Sequence, residues 1–223
     1  MASQSSDWFS AGGEVMIPLL GFSILGIALI LERLIFWAKV LKRTDRLVQE
    51  TLHLYRRNPR AAFGLLEKNS DLPIARIFLA ALELDQATPE EFRLALESSA
   101  QAEIPLLKRF NTIFETIISL SPLLGLLGTV LGLIRSFAAL QPGNVGGTNT
   151  VNVTGGISTA LISTASGLAV AIVMLVFANS FRGLYLRQLA LIQEYGGQLE
   201  LLYRRRFERR MGGYPMPTQE PHP

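Results

Sequence analysis

Apolar residues occupy 49% of the 223 positions, charged residues occupy only 17%, and the mean hydropathy is +0.30. This balance is typical of a membrane protein with a substantial water-exposed part. The chain has no cysteine, which excludes disulfides and thiol chemistry. Its net charge of +3 is explained by basic residues that orient the chain in a membrane, and we do not expect a nucleic-acid partner.

Three apolar segments predict membrane-spanning helices, because a bilayer core of about 30 Å requires about 20 mainly apolar residues. The first span covers 15–38, the second 110–140 and the third 156–181. The expected fold is an all-α membrane protein with three transmembrane helices and long cytoplasmic helical extensions. The remaining segments complete the predicted order: outer N-terminal segment 1–14, cytoplasmic helical region 39–109, outer loop 141–155, cytoplasmic amphipathic helix 182–211 and disordered tail 212–223.

The basic residues indicate the orientation, because Lys and Arg close to a span stay in the cytoplasm. Thirteen of them lie between Arg33 and Arg109 and seven between Arg182 and Arg210, whereas segments 1–14 and 141–155 contain none. We therefore expect the N terminus outside and the C terminus in the cytoplasm.

The cytoplasmic region contains two helix-start signals. Asn58-Pro59 and Thr88-Pro89 each place a capping side chain before a proline, and Glu91 completes a capping box with Thr88. Helices are expected to begin at both prolines.

The segment after the third span has leucines at helical spacing, which predicts an amphipathic helix that Gly196-Gly197 could interrupt. Its arginine-rich end, 204–210, is either a solvated helix end or a binding site for anionic membrane lipid.

The second span carries small and hydroxyl residues along one side. At about 100° per residue this side contains Ser121, Gly125, Thr129, Gly132 and Ser136. Small residues at that spacing let helix backbones approach closely in a bilayer, and a hydroxyl there needs a partner or lines a wet path. We therefore expect this side to face protein rather than lipid.

The third span has a similar pattern on two adjoining faces. Ala160, Thr164 and Gly167 share one face, while Thr159 and Ser163 lie on the next. Two interpretations remain open: ordinary small-residue packing, or the lining of a pore.

Two charges lie near the ends of the second span. Arg135, near the outer end, either reaches the membrane interface or controls the charge of a pore mouth. Glu115, near the inner end, either faces cytoplasmic water or helps an ion to enter.

Enzyme chemistry is not expected. The histidines are His53 and His222, so the spans offer no Ser/His pair, and no P-loop or zinc-protease motif occurs. We expect no catalytic residue, no metal site and no cofactor.

Three motifs together resemble the ExbB/TolQ/MotA proton-channel family, and most of all ExbB. They are LGLLGTVLG at 124–132, GISTALISTASGLA at 156–169 and ILERL at 30–34. The resemblance covers the three spans and their order. It implies a homo-oligomeric ring, a pentamer, around a single-span ExbD/TolR-like partner that brings an aspartate, with a TonB/TolA-like protein as a further partner.

The resemblance also implies a role for particular residues. Thr129 and Thr164 match the two pore-facing threonines of the family, and Thr159 and Ser163 are further candidates for the ion pathway. Gly125, Gly128, Gly132, Ala160 and Gly167 are expected to pack the helices. The implied function is the channel-forming subunit of a motor in the bacterial inner membrane that couples the proton motive force to envelope work, such as TonB-dependent transport.

One position departs from the family pattern. Many members carry a glutamate five positions before the second threonine, where this chain has Thr159. The partner would then supply the titrating group, and a sodium-using complex is conceivable. The alternative is a non-conducting membrane scaffold that assembles or stabilises a partner.

Overall fold

The computed structural model describes residues 13–138 and 148–212. This part of the chain contains no strand and forms six helices. They are α1 (Met16–Arg57), α2 (Pro59–Lys68), α3 (Pro73–Leu82), α4 (Pro89–Leu107), α5 (Asn111–Ala138) and α6 (Thr148–Met211). Three helical stretches are long and apolar enough to cross a membrane, so the expected all-α fold with three spans is confirmed.

Both predicted helix starts are confirmed. The Asn58 side chain accepts hydrogen bonds from the amides of Arg60 and Ala61 at the start of α2. At the start of α4 the Thr88 hydroxyl accepts from the Glu91 amide, and the Glu91 carboxylate accepts from the Thr88 amide. Each cap satisfies backbone donors that have no partner inside the helix.

The helices extend beyond the predicted spans. Helix α6 begins at Thr148 rather than at Gly156, so part of the predicted outer loop 141–155 is helical. An apolar segment indicates which part of a helix can lie in lipid. It does not indicate where the helix begins, because a helix can continue into polar residues outside the membrane. Helix α5 begins after Phe110, whose φ of +68° lies in the left-handed region and ends helical continuity with α4.

Gly196 and Gly197 do not interrupt α6, which runs through both. Each lies in a long helix whose neighbouring residues supply continuous backbone hydrogen bonds, and a glycine in that setting costs only about 1 kcal/mol relative to alanine. Residues 1–12, 139–147 and 213–223 lie outside the described residues. They belong to the predicted outer N-terminal segment, to the end of the second span with the start of the outer loop, and to the tail.

The chain divides into two compact units. The first, here the span unit, contains the described residues up to Ile35 and Arg109–Gly183. The second, here the helical unit, contains Phe36–Lys108 and the described residues from Leu184 onward. The helical unit has a core of large apolar side chains, and Trp37, Phe78 and Phe92 are among those fully buried.

Candidate functional site

The contact between α5 and α6 in the span unit depends on glycine. A Cβ atom added at Gly132 would lie 2.7 Å from the Gly156 carbonyl oxygen and 2.9 Å from the Cβ of Ala160. One added at Gly125 would lie 3.0 Å from the Cα of Thr164. Since real Cβ atoms do not approach backbone this closely, larger residues here would push the helices apart.

Two further glycines of the predicted packing set lie in the same contact. A Cβ on Gly128 would overlap the Ser163 side chain, and one on Gly167 would overlap the Ser121 carbonyl oxygen. Ala160, the fifth member, is 3% exposed. The structure therefore brings all five predicted packing residues together along one helix–helix crossing.

The buried line on α5 runs through Ser121, Gly125, Gly128, Gly132 and Ser136. It differs by one position from the face read from the sequence, where Thr129 stood in place of Gly128. Thr129 is only half-buried and lies beside this line.

Two of the four predicted pathway hydroxyls, both on α6, make hydrogen bonds to α5. The Thr164 hydroxyl donates to the Gly125 carbonyl oxygen at 3.0 Å. The Ser163 hydroxyl lies 3.4 Å from the same oxygen and donates to the Ala160 carbonyl oxygen at 2.8 Å. The Gly125 carbonyl therefore accepts from both hydroxyls within the α5–α6 contact.

The other two hydroxyls bond within their own helices. Thr129 donates to the Leu126 carbonyl oxygen at 2.6 Å, and Thr159 donates to that of Gly155 at 3.0 Å. A hydroxyl that donates in this way keeps its oxygen lone pairs for an ion, a water or another chain. All four predicted pathway residues thus present oxygen, and none presents a charge.

Serines at both ends of the buried line extend the polar set beyond the predicted pathway residues. Ser136 donates to the carbonyl oxygens of Gly132 and Val153, at 3.0 and 3.1 Å. The Ser121 hydroxyl is fully buried and makes no hydrogen bond with the described residues. The sequence placed both on the correct face through their helical spacing.

Sequence reasoning missed the packing of α1 on α6. A Cβ on Gly26 would lie 2.6 Å from the Met174 sulfur, so the first span also approaches closely at a glycine. A glycine in the apolar part of α1 was the available signal, but Gly21 in the same part meets nothing within 4 Å, so the sequence alone does not single out Gly26.

Arg135 pairs with Glu14, at 2.7 Å between a guanidinium nitrogen and a carboxylate oxygen. Thr159 lies in the same neighbourhood, because a Cβ on Gly13 would be 3.2 Å from its methyl carbon and 3.7 Å from the Arg135 guanidinium. The starts of α1 and α6 and the end of α5 therefore meet at this pair. Sequence patterns do not indicate the Glu14 partner, because the two residues are 121 positions apart along the chain.

Glu115 remains local: its carboxylate accepts a hydrogen bond from the Asn111 side chain at 2.7 Å. At the end of the first span, Arg33 is 2% exposed, bonds the Glu32 carboxylate at 2.8 Å and lies over the Phe110 ring. The sequence placed Glu32-Arg33 at the membrane boundary without indicating that the guanidinium is buried.

Between Thr116 and Ile134, and from Gly156 to Phe181, the sequence has no ionisable side chain. Hydroxyl and carbonyl oxygens are the polar atoms that these two segments offer to an ion. Among the described residues no group of three or more His, Cys, Asp or Glu side chains is placed to hold a metal ion.

The family model for MotA/TolQ/ExbB proton channels matches residues 69–194, which include α5 and the spanning part of α6. The chain belongs to the MotA/TolQ/ExbB proton channel family. The resemblance read from the three motifs is thereby confirmed. As a member of this family the chain is a subunit of an energy-transducing membrane system, and the family is one of proton channels rather than an enzyme class.

Relatives agree with this membership. ExbB-like protein 3 of Synechocystis sp. is 63% identical over 195 residues, covering 87% of this chain and 93% of that protein. ExbB-like protein 1 of the same organism is 41% identical over 199 residues, covering 89% and 78%. The Tol-Pal system protein TolQ of Haemophilus influenzae is 29% identical over 210 residues, covering 86% and 89%.

Proposed function

We propose that this chain is the channel-forming subunit of a motor in the bacterial inner membrane. It couples the proton motive force to work in the cell envelope, such as TonB-dependent transport, together with an ExbD/TolR-like single-span partner. The observation that carries the proposal is the α5–α6 crossing of a proton-channel family member, where the Thr164 hydroxyl bonds the Gly125 carbonyl beside half-buried Thr129.

The partner supplies the titrating group in this mechanism, because α5 and α6 carry no carboxylate within their apolar segments. Desolvation inside a ring of helices favours the neutral form of a partner aspartate, whereas hydrogen bonds from hydroxyls and water stabilise its charged form. Thr129 and Thr164 are the residues proposed to contact that carboxylate or the ion, with Thr159 and Ser163 farther along the path.

The energy available suits stepwise motion. One elementary charge that crosses 100 mV releases about 2.3 kcal/mol, which is comparable to a few net hydrogen bonds. One proton therefore supplies enough energy to move a ring past its partner by one set of hydroxyl contacts. Protonation and deprotonation of the partner drive relative rotation, and a TonB/TolA-like protein transmits it to the envelope.

The proposed assembly is a homo-pentameric ring with the N terminus in the periplasm and the C terminus in the cytoplasm. Large apolar side chains that are exposed on the span unit, such as Leu126 and Leu161, are available to lipid and to neighbouring subunits. In this assembly the Glu14–Arg135 pair lies at the periplasmic end and sets the charge of the pore mouth, whereas Glu115 lies at the cytoplasmic end.

A non-conducting scaffold is the second candidate, and one observation favours it. The hydroxyls of Thr129 and Thr164 each already donate to a backbone carbonyl, as expected of residues that only pack helices. In that case the chain would assemble a partner without passing ions.

The deciding experiment is ion flux in liposomes that contain the chain and an ExbD-like partner, measured with proton and sodium gradients. We expect partner-dependent proton flux that falls at least about tenfold in Thr129→Val and Thr164→Val, because valine keeps the shape and removes the oxygen. Thr129→Ser and Thr164→Ser keep the hydroxyl and should retain most of the flux.

Ser180→Ala is the matched control, because that exposed hydroxyl bonds only the Val176 carbonyl oxygen of its own helix. It should leave the flux unchanged. An intact complex without flux, or valine variants that conduct like the wild type, would count against the pathway assignment and favour the scaffold. Sodium flux in place of proton flux would mean that sodium is the transported ion, and the pathway assignment would be unchanged.

A further inference from the structure

A cavity of about 570 Å³ in the helical unit is lined mainly by arginine. It lies between the end of α1 and the end of α6, and no carboxylate lines it. Its lining consists of Arg56, Arg205, Arg206, Arg209 and Arg210, together with Tyr55 and Leu202. This is the arginine cavity.

The five guanidinium groups have no carboxylate partner among the described residues. Other arginines of the helical unit differ, since Arg204 pairs with Glu200 at 3.8 Å and Arg76 pairs with Glu103. Like charges around one concave surface repel each other and focus a positive potential into the cavity. An anion in the cavity would relieve the part of this repulsion that water and salt leave unscreened.

Tyr55 adds a neutral side chain with a hydroxyl to the lining of the arginine cavity. The residue as a whole is 4% exposed, and it also lines an adjoining cavity. Burial raises the pKa of Tyr55 despite the opposing effect of Arg206, so the hydroxyl keeps its proton and can donate.

A second cavity adjoins the arginine cavity and differs from it in charge. It has a volume of about 520 Å³ and shares Tyr55, Arg206 and Arg210 with the arginine cavity. Asp85 lies in its lining, together with apolar side chains such as Phe63. The anionic part of a ligand is therefore favoured in the arginine cavity, on the side away from Asp85.

A soluble phosphate-bearing molecule and the headgroup of an anionic lipid offer the same chemistry to this lining. The test therefore includes membranes with and without an anionic lipid.

We propose that the arginine cavity binds the phosphate groups of a soluble, phosphate-bearing small molecule. The planar guanidinium groups match phosphate oxygens with paired hydrogen bonds, and the Tyr55 hydroxyl donates a further one. This site lies outside the ion pathway and gives the complex a way to respond to a cytoplasmic metabolite.

The test uses the purified full chain in nanodiscs of phosphatidylcholine, titrated with inorganic triphosphate in a calorimeter at low salt. We expect saturable binding in the wild type. Arg206→Gln with Arg210→Gln should weaken it by about tenfold or more, because charged hydrogen bonds are lost. Tyr55→Phe, which removes only the hydroxyl, should weaken it a few-fold.

The matched control is Arg187→Gln with Arg204→Gln, which removes the same charge from α6 at positions outside the cavity. It should change the affinity less than about twofold, and circular dichroism should show the same helix content in all variants. Absence of binding to the wild type, or equal weakening in both double variants, would overturn the proposal. Loss of wild-type binding in nanodiscs that contain phosphatidylglycerol would assign the cavity to lipid instead.

Discussion

The two units of the molecule achieve helix packing in opposite ways. The span unit exposes large apolar side chains, such as Phe137 at 69% and Leu161 at 65%, and buries small polar ones such as Ser163. The helical unit buries Phe78 and Phe92 completely. Large apolar side chains gain no hydrophobic free energy when they move from lipid into a protein interior, so close backbone contact holds the spans together. In water the hydrophobic effect favours burial of large side chains in a core.

Polar groups follow the same division. In the helical unit, charges form ion pairs on partly exposed surfaces, as Arg43 does with Asp71 at the exit of α2. In the span unit the contacts between α5 and α6 use hydroxyls and carbonyls, which cost less to desolvate than charges. The α5–α6 contact of the span unit is therefore held by shape and by hydroxyl hydrogen bonds, whereas the helical unit combines a buried apolar core with surface ion pairs.

The largest contrast should appear when one phenylalanine is shortened in each unit. Phe78→Ala leaves a cavity in the core of the helical unit and should lower the free energy of unfolding by about 3–5 kcal/mol. Phe137→Ala changes a surface that faces lipid or detergent and should change it by less than about 1 kcal/mol. Guanidinium unfolding in detergent micelles, followed by circular dichroism, measures both.

Equal losses in the two variants would contradict this comparison, because they would mean that Phe137 is buried. If the loss for Phe137→Ala appears only in the oligomer, the residue is buried in a contact between subunits rather than within one chain. Size-exclusion chromatography with light scattering, which measures the oligomeric state, distinguishes these two cases.

The second contrast lies inside the span unit, between two glycines. A Cβ at Gly167 would overlap the Ser121 carbonyl oxygen, which is backbone and cannot move cheaply, whereas a Cβ at Gly21 would meet nothing within 4 Å. Gly167→Ala should therefore destabilise by about 1–3 kcal/mol through overpacking. Gly21→Ala should stabilise α1 by about 0.5–1 kcal/mol, because alanine is the better helix former.

Titration with sodium dodecyl sulfate in mixed micelles follows both glycine variants. Opposite signs are the expected result. If Gly167→Ala were as stable as the wild type, the close approach of α5 and α6 at this point would be absent in the membrane.

Sequence reasoning succeeded where the physical signal is local. Uncharged segments of about 20 residues marked the spans, and Asn58 and Thr88 marked helix starts, because a cap needs only its own first turn. The face of α5 was right except that Gly128, not Thr129, lies in the contact, a shift of one position that a period of 3.6 residues does not resolve.

The remaining features depend on contacts between distant residues. The Glu14–Arg135 pair joins residues separated by 121 positions, and the arginine cavity combines the ends of α1 and α6. The periodicity of apolar residues along the sequence does not indicate which distant residues come into contact. The start of α6 at Thr148 was missed because the polar residues there carry no hydropathy signal.

The smallest effect concerns the cap of α4 in the helical unit, which has no counterpart described in the span unit. The Thr88 amide donates to the Glu91 carboxylate at 2.7 Å, and hydrogen bonds from the Thr88 amide and hydroxyl lower the pKa of Glu91. Thr88→Ala should cost about 1 kcal/mol, the usual value of an N-cap. Hydrogen exchange of the first amides of α4 measures this loss.

The same cap has a defined pH dependence. Because the pKa of Glu91 is lower in the folded protein than in the unfolded chain, its contribution is complete above the unfolded value of about 4.3 and is lost as the pH falls through the folded value. Glu91→Gln should remove this part of the pH dependence of amide exchange, while Thr88→Ser, which keeps both hydrogen bonds, should preserve it. Identical pH profiles for the wild type and Glu91→Gln would show that the carboxylate is not held by the cap, and the start of α4 would then depend on the Thr88 hydroxyl and on burial of Phe92.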